Sequence, residues 1–217
     1  MEGTNHAGGA VKPLIQYEGK IVRVIDVDGR AFTGIPVSFP AEYGFHEFNR
    51  DEESIKLNDY QLFESDIAWI RVLSGYALHR ATETWQRAGA WYVRVQAMAG
   101  EHRIPLRQAF DRHDTPDAKY IVVTDDDFPI ATARMVPLDE RRVMIDRIAV
   151  LPEYRRQGVG TMVVSECEVW AEELGYSAAV VESRESEVPF YEQMLYEPCG
   201  EAADGAPLRG VRMEKDL

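Results

Sequence analysis

Two rhythms of apolar and polar positions divide the chain, and the change falls near residue 72. From Tyr17 to Leu73 the apolar residues come in short β-branched runs parted by turns. Lys20–Val27 reads KIVRVIDV, a strand, and Asp28-Gly29 after it is a hairpin signal. Ala31–Val37 predicts the return strand. Ser54–Leu57, Tyr60–Phe63 and Ile67–Val72 predict three more, with Asn49–Glu53 a polar turn. About five short strands in about 55 residues predict a small closed barrel, because closure removes exposed edges.

After Leu73 strands alternate with helical periods, which predicts an α/β layered architecture. Tyr76–Ala81 reads as a strand. Thr84 caps a predicted helix running to about Ala99, with Trp85, Ala88, Trp91, Tyr92, Val95 and Met98 on its apolar side. Trp85, Trp91 and Trp170 are expected in the core. Asp111–Asp117 is a polar loop. Tyr120–Thr124 and Ile130–Pro137 are strands joined by a turn at Asp125-Asp126-Asp127. Val143–Val150 is a strand, Gly158–Leu174 a helix, Ala178–Glu182 a strand, Val188–Met194 a short helix and Val211–Lys215 a last strand. The reading therefore divides the chain at 1–73 and 74–217.

Composition narrows the partners. The 24 basic residues stand against 37 acidic ones, a formal charge of −13. Residues 1–70 alone carry 6 against 12. Such a surface repels phosphate backbones and favours cationic substrates such as amines. No apolar run reaches the roughly 20 residues of a membrane span, and Met1–Ala10 lacks the apolar core of a signal peptide. Cys167 and Cys199 show no metal-ligand spacing and are expected as neutral thiols, so the expected compartment is the cytoplasm and no metal site is expected.

The chemistry concentrates in Ile145–Tyr176, IDRIAVLPEYRRQGVGTMVVSECEVWAEELGY. A strand ends at Val150, a turn follows, and Arg155-Arg156-Gln157-Gly158-Val159-Gly160 opens a long helix. A helix start offers unpaired amides and the positive dipole end, and glycines admit a phosphate to close range. The Walker and Rossmann patterns are both absent.

Arg155-x-x-Gly158-x-Gly160, between Ile148-Ala149-Val150 and Leu174-Gly175-Tyr176, resembles the signature of the GNAT acetyltransferase superfamily. Val188-Pro189-Phe190-Tyr191-Glu192 is similar to that family's late helix. Arg94, Ile104-Pro105-Leu106, Phe110-Asp111 and His113-Asp114 resemble one of its branches, with Met98 where that branch carries phenylalanine and Glu101-His102 where it carries Glu-Gln. The resemblance covers about residues 74–217 and implies a mixed α/β (α+β) sheet flanked by helices. GKIVRVIDVDGRAFTG, ESIKL and LFESDIAWI, within about residues 14–72, resemble the Sm-like small β-barrel family, read here as a structural or partner-docking module.

The GNAT resemblance implies acetyl-CoA lying between the strand ending at Val150 and the strand Ala178–Glu182. Backbone of Ile148, Ala149 and Val150 would pair with the pantetheine arm. Amides from Arg156 through Gln157, Gly158, Val159 and Gly160 to Thr161, with Arg155 beside them, would hold the pyrophosphate. A small-molecule or peptide amine would attack the acetyl carbonyl directly. Tyr191 is the candidate acid toward the leaving thiolate. Asp146, Glu182, His113 or a water relay are candidates for the base. Asp111, His113 and Asp114 as a metal cluster is the lesser reading of that loop. The rival to an enzyme is a non-catalytic acyl-CoA sensor or a module that docks protein or RNA, with a homodimer or a protein partner held through the barrel.

Overall fold

The computed structural model describes residues 13–101, 103–201 and 210–217, and the chain forms two compact units, Met1–Leu73 and Ser74–Leu217. Met1–Ala10 and His102 lie outside the described residues.

The first unit holds β1 (Val22–Asp26), β2 (Ala31–Gly34), β3 (Val37–Phe39), the helix α1 (Ala41–Phe48), β4 (Ser54–Leu57), β5 (Tyr60–Phe63) and β6 (Ile67–Val72). The β1–β2 hairpin turns at Gly29, φ +81°, where glycine avoids a Cβ clash. The buried Asp26 carboxylate accepts from the amides of Asp28 (3.0 Å) and Arg30 (2.8 Å), which fixes that turn.

No sheet of this unit closes into the expected barrel. The six strands form two antiparallel three-stranded sheets, ordered β2-β1-β6 and β3-β4-β5. The run 31–37 is two strands, because Pro36 has no amide to continue a ladder. The sheets share one core: Val22, Val24, Phe32 and Ile67 from one, Ile55, Leu57 and Leu62 from the other, with Leu14 among them.

The second unit continues with β7 (Tyr76–Arg80), α2 (Thr84–Arg94), α3 (Leu106–Ala109), β8 (Lys119–Asp125), β9 (Phe128–Pro137), β10 (Arg142–Val150), α4 (Val159–Glu173), β11 (Ala178–Arg184), α5 (Val188–Glu192), β12 (Glu197–Glu201) and β13 (Gly210–Asp216). These strands make one mixed sheet, β12-β13-β11-β10-β9-β8-β7, antiparallel except where β10 meets β11. Ile121, Val122 and Val123 are all fully buried, although successive strand residues face opposite sides. Both faces are therefore covered; α2 packs on β8 and β9, and α4 on β8, β9 and β10.

Helix α2 turns a different face inward from the one the aromatic spacing predicts. Gln86, Ala90, Val93 and Arg94 are buried, whereas Trp85 and Trp91 are 45% and 39% exposed. Close approach explains it: a Cβ on Gly89 would stand 3.2 Å from Pro129 Cβ, so only small residues fit between helix and sheet. Gln86 is buried because its Oε1 accepts from the amides of Thr82 (2.8 Å) and Glu83 (2.9 Å), satisfying the helix start. Trp170 is partly buried, with Arg80 over its ring at 5.3 Å. Past Arg94 the helix loosens into a π-helical turn, Val95–Gly100.

Candidate active site

Strands β10 and β11 run together for only three residue pairs, Arg142–Met144 with Ala178–Val180. Beyond them β11 stays paired to β13 as far as Arg184, and β10 to β9 as far as Val150. Among the described residues, no strand thus covers the β11-facing edge of β10 from 145 to 150. A β-bulge between Asp146 and Ala149, with Arg147 at φ +52°, bends β10 at this point.

The opening leads to the start of α4. Gly158 stands before its first turn at φ +81°, no side chain caps the helix, and no acidic residue lies in its first turn. The amides of Val159, Gly160 and Thr161 therefore stand at the helix start without a partner inside the helix. A Cβ on Gly160 would be 3.8 Å from Val150 and 3.6 Å from Phe190, so β10, α4 and α5 converge here. Arg155 donates Nε to the Val150 carbonyl (2.9 Å) and pairs through both Nη atoms with Glu101 (2.9 and 2.5 Å). Its charge is thus matched by a carboxylate, whereas exposed Arg156, at φ +56°, makes no ion pair among the described residues.

Beside the bulge lies a buried ionic network. Arg134, 1% exposed, pairs through Nε and Nη2 with Asp146 (2.9 and 2.7 Å) and through Nη1 and Nη2 with Asp111 (2.8 Å each). It also reaches Asp114 at 2.8 Å. Arg94, equally buried, grips Asp114 (2.6 and 2.9 Å), and Tyr120 donates to the same carboxylate. Arg147, the bulge residue, donates to Asp111 at 2.6 Å. The Arg134 hydrogen bonds, opposed by burial and joined by those of Arg147, hold Asp111 far below the usual carboxylate range. Burial would raise Asp114, but the hydrogen bonds from Arg94 and Tyr120 prevail and bring it down to about 2. The loop carboxylates hold guanidiniums, and no group of three ligands fit for a metal occurs among the described residues. His113 is exposed, beside Arg112.

The candidate acid and bases separate by environment. Tyr191 is 6% exposed, its ring edge-on to Phe190 (4.9 Å) and Tyr196 (5.8 Å). Burial, with Glu187 nearby, pushes its phenol well above the ordinary value, so it stays protonated through the physiological range. Asp146 and Glu182 each sit two residues beyond the last β10–β11 pair, one on either side of the opening. Both oxygens of Asp146 are held by Arg134, the geometry of a strut. Glu182 receives Arg212 Nη2 at a longer 3.3 Å. Cys167 is buried with its thiol pushed well up, and Cys199 is exposed on β12.

Residues 77–195 match the family model described as the acetyltransferase (GNAT) family. The chain belongs to the GNAT acetyltransferase family. A Bacillus subtilis (strain 168) acetyltransferase is 30% identical over 122 residues, 54% of this chain and 82% of the relative. A second relative from the same organism, the N-acetyltransferase YjcF, is 28% identical over 116 residues, 54% of this chain and 81% of its own. An N-acetyltransferase from Lactobacillus plantarum superposes with a TM-score of 0.62 at 25% identity, over 66% of this chain and 99% of that one. A GNAT acetyltransferase from Elizabethkingia anophelis, solved with acetyl-CoA bound, shares the fold: TM-score 0.50, 13% identity, 66% of this chain and 99% of that one. The chain is thus an N-acetyltransferase with the mixed sheet and flanking helices of the GNAT fold.

The GNAT signature alone did not reveal Arg134 or Glu101 as parts of this site. Arg134 had a signal: it is the lone charge inside the apolar strand Ile130–Val136, where a charge survives only if paired. Glu101 stands in the branch-like stretch before Ile104-Pro105, but its pairing with Arg155, 54 positions along the chain, had no signal.

Proposed function

We propose that residues 74–217 transfer an acetyl group from acetyl-CoA to an amine, on a small molecule or a peptide, by direct attack. The observation that carries this reading is the partnerless edge of β10 leading to the uncapped start of α4. An extended pantetheine arm can add to such an edge as a strand would, through the backbone of Ile148, Ala149 and Val150. The amides from Arg156 to Thr161 suit a pyrophosphate, and Arg156 brings the charge that Arg155 has committed to Glu101. Acetyl-CoA would supply the acetyl group as a thioester; the C–N bond to the amine forms as the C–S bond breaks, and the deacetylated coenzyme is the leaving group.

The chain's own groups handle the protons. Protonated Tyr191 donates toward the departing sulfur. Glu182 takes the proton from the amine, directly or through water, in preference to Asp146, whose oxygens are both occupied by Arg134. The acidic chain suits a cationic acceptor and a cytoplasmic setting. Coenzyme release with polyamines, amino acids and lysine peptides tests the reading. Turnover with at least one amine, lowered by Glu182→Gln, is the expected result. Acetyl-CoA binding without turnover on any amine would favour the sensor instead.

A further inference from the structure

We propose that the α1 face of the first unit docks a cationic, amphipathic segment of another protein. The reading is independent of acetyl transfer.

Charge is the first observation. Residues 1–40 hold four acidic and four basic residues, whereas 41–70 hold eight acidic against Arg50 and Lys56. The whole imbalance of this part of the chain thus falls in the stretch that carries α1. Arg50 does not relieve it, since its guanidinium is bound to Glu52 and Asp66 and lies 4.0 Å over the Phe63 ring.

The second observation is apolar. Phe45, Phe48 and Tyr43 of α1 are 55%, 47% and 36% exposed, and none belongs to the unit's core. Gly44 is the helix's only buried residue. A Cβ there would lie 2.6 Å from the Arg50 carbonyl and 2.8 Å from that of Glu52, so the helix rests on backbone through a glycine; Phe48 also meets the buried Phe63 edge-on at 5.4 Å, and much of all three rings stays outside. They are ordered against each other: Phe39 stacks on Tyr43 at 4.5 Å, and Tyr43 meets Phe48 edge-on at 6.1 Å. Exposed Glu42, Glu47 and Asp51 accompany them.

Ring faces attract ammonium and guanidinium groups, carboxylates steer them in, and the rings cover aliphatic side chains between the charges. A second copy of this chain would bring the same acidic face and be repelled, and a nucleic acid would be repelled more strongly.

The test uses the full chain and a labelled synthetic helix-forming peptide of leucine and lysine, with its leucine–glutamate counterpart as control. Saturable binding of the lysine peptide alone is expected, largely lost in 1 M salt, where screening acts within about 3 Å. Glu42→Gln/Glu47→Gln/Asp51→Asn should weaken it roughly tenfold, the combined effect of three exposed ion pairs. Phe45→Ser should weaken it at unchanged thermal stability. Equal binding of the two peptides, or full affinity in both variants, would overturn the proposal. So would a dimer that Phe45→Ser dissociates, which would make a second copy the occupant, or tighter binding of single-stranded RNA than of the lysine peptide.

Discussion

At φ +81°, Gly158 holds a backbone conformation that a Cβ makes costly by about 1–2 kcal/mol, whereas Gly160 needs no such freedom. A Cβ on Gly160 would meet only ordinary contacts with Val150 and Phe190. Gly158→Ala should therefore lower the melting temperature by roughly 2–8 °C, at about 2–4 °C per kcal/mol, while Gly160→Ala leaves it unchanged. Equal losses in a thermal scan would refute this division of labour. The sequence shows both glycines but not which is there for its φ, because backbone conformation is not written in residue identity. Tyr191 poses a separate question. Tyr191→Phe keeps the buried ring and deletes the donor, so kcat should fall by about 10²–10⁴ with acetyl-CoA affinity little changed. A kcat within about threefold of the parent would make Tyr191 a packing residue.

Elements are held in place by groups far apart in the chain. The bulge in β10, just beyond its last pair with β11, is tied through Arg147 and Asp146 to Asp111 and Arg134. The strands themselves were legible, since buried β-branched runs such as Tyr120–Thr124 admit little else. The inward face of α2 was not: its aromatic spacing is real, but the tight contact at Gly89 sends Trp85 and Trp91 to the rim. Nor was the use of Asp111 and Asp114, which depends on guanidiniums from β9 and α2. That network sets an acid limit. Both carboxylates titrate lower in the fold than the roughly 3.9 of an unfolded aspartate. Their contribution is full above about pH 4; that of Asp114 is lost as pH falls toward about 2, and that of Asp111 at still lower pH. Thermal stability should thus be steady from pH 7 to 5 and drop below pH 4. Asp114→Asn should melt lower at pH 7 and show a shallower fall between pH 4 and 2. A parallel fall in parent and variant would remove Asp114 from the account.

The whole molecule is two units with separate cores, and every part of the groove belongs to one of them. The seven-stranded sheet, α2, α4 and α5 all lie within Ser74–Leu217, as does the family match at 77–195. The first unit has its own buried cluster, from Leu14 to Ile67. Its strand rhythm was legible but its architecture was not. Short β-branched runs fix that strands form, while their pairing is decided by breaks such as Pro36 and by the insertion of α1, whose exposed rings and lone buried glycine give no helical core period. The separation leads to a test. Residues 74–217 expressed alone should fold, with the sheet intact by circular dichroism and a cooperative thermal transition. On a small amine that the full chain accepts, the fragment should release coenzyme with kcat/KM within about threefold of the parent, because no groove residue has been removed and 1.4 kcal/mol would be needed for a tenfold change. A fragment that folds yet fails on the small amine would show that the first unit contributes to the chemistry itself.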